Sequence, residues 1–390
     1  MRRRRLLTAL TVLVIAIAVF AYVGAPYARA ASFIVRAAGL GGRAEALANE
    51  QARPVVVQPR HQVTTRYGDV AARLYVPDGT ARRTVLLVPG IHSMGIEEPR
   101  LTALADDLAG AGVKVMAMAL PDLQAYRITP RATDVIEDAV TWMSKRPDLA
   151  PDGHVGIVGI SFSGGLSISA ASRPAIRDKV AFVLSFGGHG DLGRVMRYLT
   201  TGEAPQVAGL ETHPPHDYGV AVILYGLADL VVPADQVVAL REGVETFLLA
   251  SQLTLVSMDQ ANATFAKARE MAKELPEPSR TLLTYVNDRA VDKLGPVLAP
   301  HLSQLGTNNP ALSPQYVEHP ASAELFLLHG SDDTVIPAAE TAIFSEDLRR
   351  KGANVHVLLS GLITHAEVNR GFTYIDVWKL ISLWAQVFRT

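Results

Sequence analysis

The chain predicts an α/β fold: a mostly parallel sheet covered by helices on both faces. Three observations carry that expectation. Short apolar runs alternate with stretches of helical periodicity from residue 84 to residue 186. The same beat returns at 323–329 and 354–359. Between them, at 155–171, an apolar run passes through Gly-Ile-Ser-Phe-Ser-Gly-Gly straight into a helix-like segment. A serine at such a strand–turn–helix junction is held above the sheet edge, with its hydroxyl accessible and its backbone strained. The amide of the next residue lies at the helix start, where it faces developing negative charge.

Each element follows from its residues. Residues 62–76 read as two strands around the turn Tyr67-Gly68-Asp69, closed by Pro77 and Gly79. Residues 84–88 form a strand that runs into Pro89-Gly90-Ile91-His92-Ser93-Met94-Gly95, a loop that sets backbone amides at the carboxyl edge of the sheet. A helix over 100–111 stops at Gly112, and 113–119 is the next strand. Thr129-Pro130 starts a helix reaching about Lys145, with Val135, Ala139, Val140 and Met143 on one face. Strand 179–186 ends in Gly187-Gly188-His189-Gly190. From 191 to 320 the strand–helix beat lapses into apolar and amphipathic helical segments, the pattern of a helical cap inserted over the sheet edge. Strand 323–329 leads into Gly330-Ser331-Asp332-Asp333-Thr334-Val335-Ile336-Pro337. Strand 354–359 leads to Gly361-Leu362-Ile363-Thr364-His365 and a last helix.

Composition bounds the function. The 390 residues are 49% hydrophobic, enough for one large α/β domain with an insertion. A formal net charge of −1, with no basic cluster beyond the first residues, gives no nucleic-acid-binding signature. The absence of cysteine excludes disulfides, thiol catalysis and thiolate metal sites, and leaves the compartment undecided. Arg2 to Arg5 precede an apolar run over 6–24, at about 19 residues just long enough to span a bilayer as a helix. The expectation is a transmembrane signal anchor over 1–24. The alternative is a signal peptide cleaved near Ala28-Arg29-Ala30. The catalytic domain would then lie outside the cytoplasm, membrane-anchored, or secreted or periplasmic after cleavage. Residues 25–61, Ala- and Arg-rich and interrupted by Gly39, Gly41 and Gly42, read as a connecting neck. Residues 62–388 read as the domain proper.

A serine nucleophile needs a base, and the base needs an orienting carboxylate. Ser161 crowns the turn after the apolar run, and Ser163 is the alternative nucleophile in a second frame of the same motif. Asp333, or Asp332 beside it, lies in a post-strand loop. His365 lies after the next strand, so all three groups fall on one edge of the sheet. Asp229, in Gly226-Leu227-Ala228-Asp229, echoes the Asp333 loop but has no comparably placed histidine after it. His92, near the predicted entrance, is expected to be structural or solvated rather than in contact with substrate.

On these motifs (Pro89-Gly90-Ile91, Gly159-Ile160-Ser161-Phe162-Ser163, His329 to Pro337, and His365), the segment 62–388 resembles the α/β-hydrolase superfamily. It is most similar to that family's esterase and dienelactone-hydrolase-like members. The order serine, acid, histidine is the family's order. The resemblance selects Asp333 over Asp332, and implies that the Ile91 and Phe162 amides form an oxyanion hole. Pro89 stands where a histidine is common, and Ser163 where glycine is usual. The implied reaction is hydrolysis of a carboxylic ester through an acyl-enzyme, with no metal or organic cofactor, on a small or lipid-like acyl substrate. Amide, peptide or thioester hydrolysis and acyl transfer use the same residues. A non-catalytic membrane-tethered binding module is the reading from a different class.

Overall fold

A computed structural model describes residues 22–363 and 374–390. Eight strands form one sheet: β1 (Val55–Thr65), β2 (Gly68–Pro77), β3 (Thr84–Val88), β4 (Lys114–Met118), β5 (Val155–Ile160), β6 (Val180–Phe186), β7 (Glu324–Gly330) and β8 (Val355–Ser360). Their spatial order is β1-β2-β4-β3-β5-β6-β7-β8. β1 and β2 pair antiparallel through a tight turn whose closing register is Thr65 opposite Gly68. β2 pairs antiparallel with β4, and every later pairing is parallel. Parallel neighbours need crossovers, and the helices that the sequence places between the strands supply them. This mixed, mostly parallel sheet, flanked by helices and carrying a helical insertion, is the α/β-hydrolase architecture.

The β-strand period of two divides the core. Leu86 and Val88 pack on one face with the Pro130–Ser144 and Phe162–Ala171 helices. Val85 and Leu87 pack on the other with the Pro99–Gly110 and Tyr374–Val387 helices. All five residues of β3 are buried, as expected of a strand covered on both sides. The Pro99–Gly110 helix begins where Glu98 accepts the Leu101 N–H at 2.8 Å, with proline in its first turn.

Between β6 and β7 the chain forms helices at Leu192–Thr201, Asp217–Val231, Val237–Leu253, Met258–Glu274, Ser279–Asn287 and Val291–Leu298. Their buried residues, including Leu224, Leu240, Phe247 and Leu283, join the same hydrophobic cluster as one face of the sheet. The insertion is therefore packed onto the domain as a continuous core. Its foot is tied by Glu340, fully buried, which accepts the Gly190 and Asp191 amides at 3.2 and 3.0 Å. Glu340 also pairs with Arg194 at 2.6 Å, so the buried carboxylate is neutralised and its lone pairs are used. Asp229 is an exposed residue of the Asp217–Val231 helix and pairs with Arg241 at 3.0 Å, well inside the insertion.

The amino-terminal expectation needs correction. Among the described residues no helix is long and apolar enough to cross a membrane. Residues 1–21, with the arginines and most of the apolar run, lie outside the described residues. From residue 22 to residue 37 the chain is helical, exposed at Tyr22 and Val23 and packed against protein further along. Ala30 and Phe33 are buried, and the Phe33 ring lies 4.4 Å from Trp384 and 5.6 Å from Phe388. The transmembrane anchor, the membrane as partner, and the extracytoplasmic placement that rested on them are accordingly set aside. Within the segment read as a neck, the chain turns at Gly39 and Gly41, both at positive φ. It then forms the Gly42–Gln51 helix and enters β1 at Val55.

Candidate active site

β5 ends at Ile160 and the next helix begins at Phe162, so a single residue makes the turn. That residue is Ser161, at φ 56° and ψ −132°, one of three non-glycine residues with positive φ among those described. Two bonds fix the turn. The Ser161 N–H donates to the Phe186 carbonyl at 2.7 Å, and the Ser161 carbonyl accepts the Gly164 N–H at 2.8 Å. Gly159 is required here, because a Cβ would sit 2.5 Å from the Ser163 carbonyl oxygen and 2.7 Å from Ser167 Oγ. Strain of this kind persists only where the surroundings over-determine it.

The two serines of the motif sit in different environments. Ser163 is fully buried. Its Oγ accepts the Ile160 N–H at 3.0 Å and lies 2.9 Å from the Val88 carbonyl and 2.8 Å from the Ile160 carbonyl. Its one proton and its lone pair are thus taken by backbone groups. This accounts for a serine where glycine is usual: its hydroxyl ties β3, β5 and the helix start together. Ser161 is only partly buried, at the mouth of the turn.

The loop after β3 runs against this turn. A Cβ on Gly90 would lie 3.3 Å from Ser161 Cβ and 3.3 Å from the Ile160 carbonyl oxygen, so a larger residue here would have to push the turn by a few tenths of an ångström. Ile91 follows directly in the same loop. Phe162 is the first residue of its helix, and its N–H belongs to the amides that have no partner within a helix. The helix macrodipole adds positive character at the same point.

Asp333 lies in the turn after β7 and is 4% exposed. Its Oδ1 accepts the Val335 and Ile336 amides at 2.8 and 3.0 Å, and its Oδ2 lies 3.4 Å from His329 Nε2. Gly187, at the end of β6, faces the same oxygen, and a Cβ there would be 3.5 Å from it. The carboxylate is therefore aimed along the carboxyl edge of the sheet, toward the strand that precedes the insertion. Asp332 is half-buried, and its Oδ1 has no hydrogen-bond partner among the described residues. β8 ends at Ser360 opposite Gly330, and Ser331 donates its N–H to the Ser360 carbonyl at 3.1 Å. The end of β8 thus adjoins the Asp333 turn. His365 lies outside the described residues, two positions beyond Ile363.

Sequence reasoning passed over the groups that close this edge. Gln252, near the end of the Val237–Leu253 helix, accepts from Ser93 Oγ at 2.9 Å. It donates to the hydroxyls of Tyr126 at 3.1 Å and Tyr218 at 3.2 Å. The Tyr218 hydroxyl in turn lies 3.5 Å from the Ile91 carbonyl. One amide of the insertion thereby holds the loop that carries Ile91. Burial raises the pKa of both tyrosines, so both stay protonated at neutral pH. The signal available was weak: Tyr126 is a second non-glycine residue at positive φ, and nothing local marks Gln252. In the sequence His329 stands out only as the first residue of the motif running to Pro337. It is fully buried, with Nδ1 2.6 Å from Thr341 Oγ1 and Nε2 2.8 Å from the Ile336 carbonyl, and it backs the Asp333 turn. His92 Nδ1 accepts the Met94 N–H at 3.2 Å, and burial lowers its pKa, which suits a neutral loop-shaping residue. Among the described residues no group of three His, Asp or Glu side chains is placed to hold a metal ion.

No family model matches the chain, and no curated protein matches it. Among solved structures it is similar to a hyperthermophilic esterase from the archaeon Pyrobaculum calidifontis, at 14% identity, over 86% of this chain and 85% of that one, with a TM-score of 0.43. It is similar to an acylaminoacyl peptidase from Pyrococcus horikoshii at 13% identity, over 89% of this chain and 43% of that one, with a TM-score of 0.46. It is also similar to brefeldin A esterase, a bacterial homologue of human hormone-sensitive lipase, at 13% identity, over 87% and 74% of the two chains, with a TM-score of 0.45. Likeness at this level assigns no residue a role; the fold rests on the strand order and the turn at Ser161.

Proposed function

We propose that the chain is a serine hydrolase acting on carboxylic esters through an acyl-enzyme. Ser161 attacks the carbonyl carbon. His365 takes the Ser161 proton, then delivers it to the leaving alkoxide and later activates water. Asp333 orients and stabilises the imidazolium. The Ile91 and Phe162 amides receive the oxyanion. The observation that carries this reading is the contrast at the turn: Ser161 stands strained and partly exposed, while Ser163 is bound on all sides by backbone. The anchoring of Asp333 Oδ1 by two amides supports it as the acid, since a fixed carboxylate is what an orienting partner needs. The preference for esters rests on the motif resemblance to esterase and dienelactone-hydrolase-like proteins.

The test is hydrolysis of a short-chain p-nitrophenyl ester by the full chain and by the Ser161→Ala variant. The proposal expects turnover by the first and loss in the second at an unchanged unfolding midpoint. Equal turnover by both proteins refutes it.

A further inference from the structure

A cavity lies on the face of the sheet opposite the Phe162–Ala171 helix, near the amino ends of β3 and β4. Its volume is about 280 Å³. Its floor is apolar, formed by Leu108, Val158, Phe182 and Trp384, all from the hydrophobic cluster on that face. Its rim is cationic: Arg29, Arg82, Arg83 and Arg389 line it, and no Asp or Glu does.

The four guanidiniums are not equally satisfied. Arg83 pairs with Asp152 at 2.7 Å and donates to the Thr390 backbone oxygen at 2.7 Å. Arg389 lies over the Tyr27 ring, 5.0 Å from its centroid. Arg29 has a different situation. Its Nη1 is buried and has no hydrogen-bond partner among the described residues. Burial, and then the charges of Arg82 and Arg53, lower its pKa, which marks an uncompensated cationic site. A guanidinium does not lose its proton in a protein, so its free N–H calls for an acceptor, and an anion would also offset the charge. Buried polar groups left unpaired are rare in folded chains, and each calls for an acceptor.

We propose that this cavity binds an amphiphilic anion: a carboxylate or phosphate head held by Arg29 and Arg82, with a hydrocarbon tail on the apolar floor. A guanidinium fork matches either head bidentately. The cavity is large enough to take a hydrocarbon tail along its apolar floor, and an eight-carbon chain serves as the probe. The head cannot be placed on the floor, where no polar side chain would meet it, and an uncharged tail would leave Arg29 unpaired. The site is separated by the sheet from Ser161, so it stands or falls apart from the proposed hydrolysis.

The experiment is calorimetric titration of the full chain with octanoate, octyl phosphate, octan-1-ol and acetate, repeated on Arg29→Gln and on Arg82→Gln. Arg82 is exposed, so its variant keeps the test alive if Arg29→Gln fails to fold. One-to-one saturable binding is expected for an eight-carbon anion, with octan-1-ol and acetate each weaker by about tenfold or more. Arg29→Gln should weaken the anion by about tenfold or more, and Arg82→Gln by a smaller factor, with unfolding midpoints unchanged. Tighter binding of octyl phosphate assigns a phosphate head, and tighter binding of octanoate a carboxylate; both support the site. No saturable binding, octan-1-ol equal to octanoate, or an affinity indifferent to both arginine variants overturns it. The last result would place the ligand elsewhere, the Ser161 edge included.

Discussion

Replacing Ser163 by alanine separates the two serines of the turn by their physics. The Ser163 hydroxyl accepts the Ile160 N–H at 3.0 Å and donates to one of two carbonyls, Val88 at 2.9 Å or Ile160 at 2.8 Å. Alanine removes the hydroxyl and leaves the partly buried Ile160 N–H without that acceptor. The cost of an unsatisfied buried amide is about 1–3 kcal/mol. No cavity of consequence adds to that, because only one oxygen is lost. Denaturant unfolding should therefore show Ser163→Ala destabilised by about 1–3 kcal/mol at an unchanged slope. Its turnover of a short-chain nitrophenyl ester, per folded molecule, should stay within about tenfold of the parent, since no reacting group is touched. Ser161→Ala should behave in the opposite way. Among the described residues the Ser161 side chain makes no hydrogen bond at the turn, so stability should hold, while turnover should fall by at least about a thousandfold. Ser163→Ala abolishing turnover at full stability, with Ser161→Ala active, would refute the reasoning.

Three further outcomes follow from the same geometry. Asp333→Asn keeps an oxygen for the Val335 and Ile336 amides, so the fold should survive while kcat falls by about 10³–10⁴ in steady-state assay, as loss of the orienting charge predicts; a stable variant with parental kcat would remove Asp333 from the site. Gln252→Ala frees the Ser93 loop from the insertion and deletes three hydrogen bonds worth about 1 kcal/mol each, so hydrogen exchange should rise over 90–95 and 217–253 and kcat/KM should drop about tenfold; unchanged exchange there would show that the insertion is held by its apolar core alone. His189 is fully buried, with Nε2 2.7 Å from the Leu312 carbonyl, and burial holds its pKa below the ordinary 6.5. The unfolded chain takes up a proton there that the folded chain refuses, so stability is present above pH 6.5 and is lost as pH falls through it, by about 1.4 kcal/mol per pH unit. His189→Gln should flatten that slope in denaturation curves between pH 6.5 and 5.5, and an identical slope would assign the acid sensitivity elsewhere.

Much of the frame was legible because the strands are short, wholly apolar and sharply bounded. β3 could be delimited to the residue, since Arg83 and Pro89 stop an apolar run that is buried on both sides. The turn at Ser161 was legible because only a glycine at 159 permits it. The preference for Ser161 over Ser163 came from counting outward from the end of that run. The burial of the Ser163 hydroxyl by Val88 was not legible, because that contact depends on how β3 and β5 lie side by side. Gln252 illustrates the general obstacle: it meets Ser93 across 159 residues of chain, and no local pattern encodes such a meeting. The amino-terminal segment shows the limit of hydropathy. An apolar helix face carries no statement of what covers it, and for Phe33 the cover is Trp384 and Phe388.

Labelling the folded full chain with a serine-directed phosphonate, followed by mass mapping of the modified peptide, reaches the proton-handling cluster directly. A single stoichiometric adduct on Ser161, slowed by His365→Gln, is the predicted result. An adduct on Ser163, or a folded chain left wholly unmodified under conditions that label a known serine esterase, would contradict it.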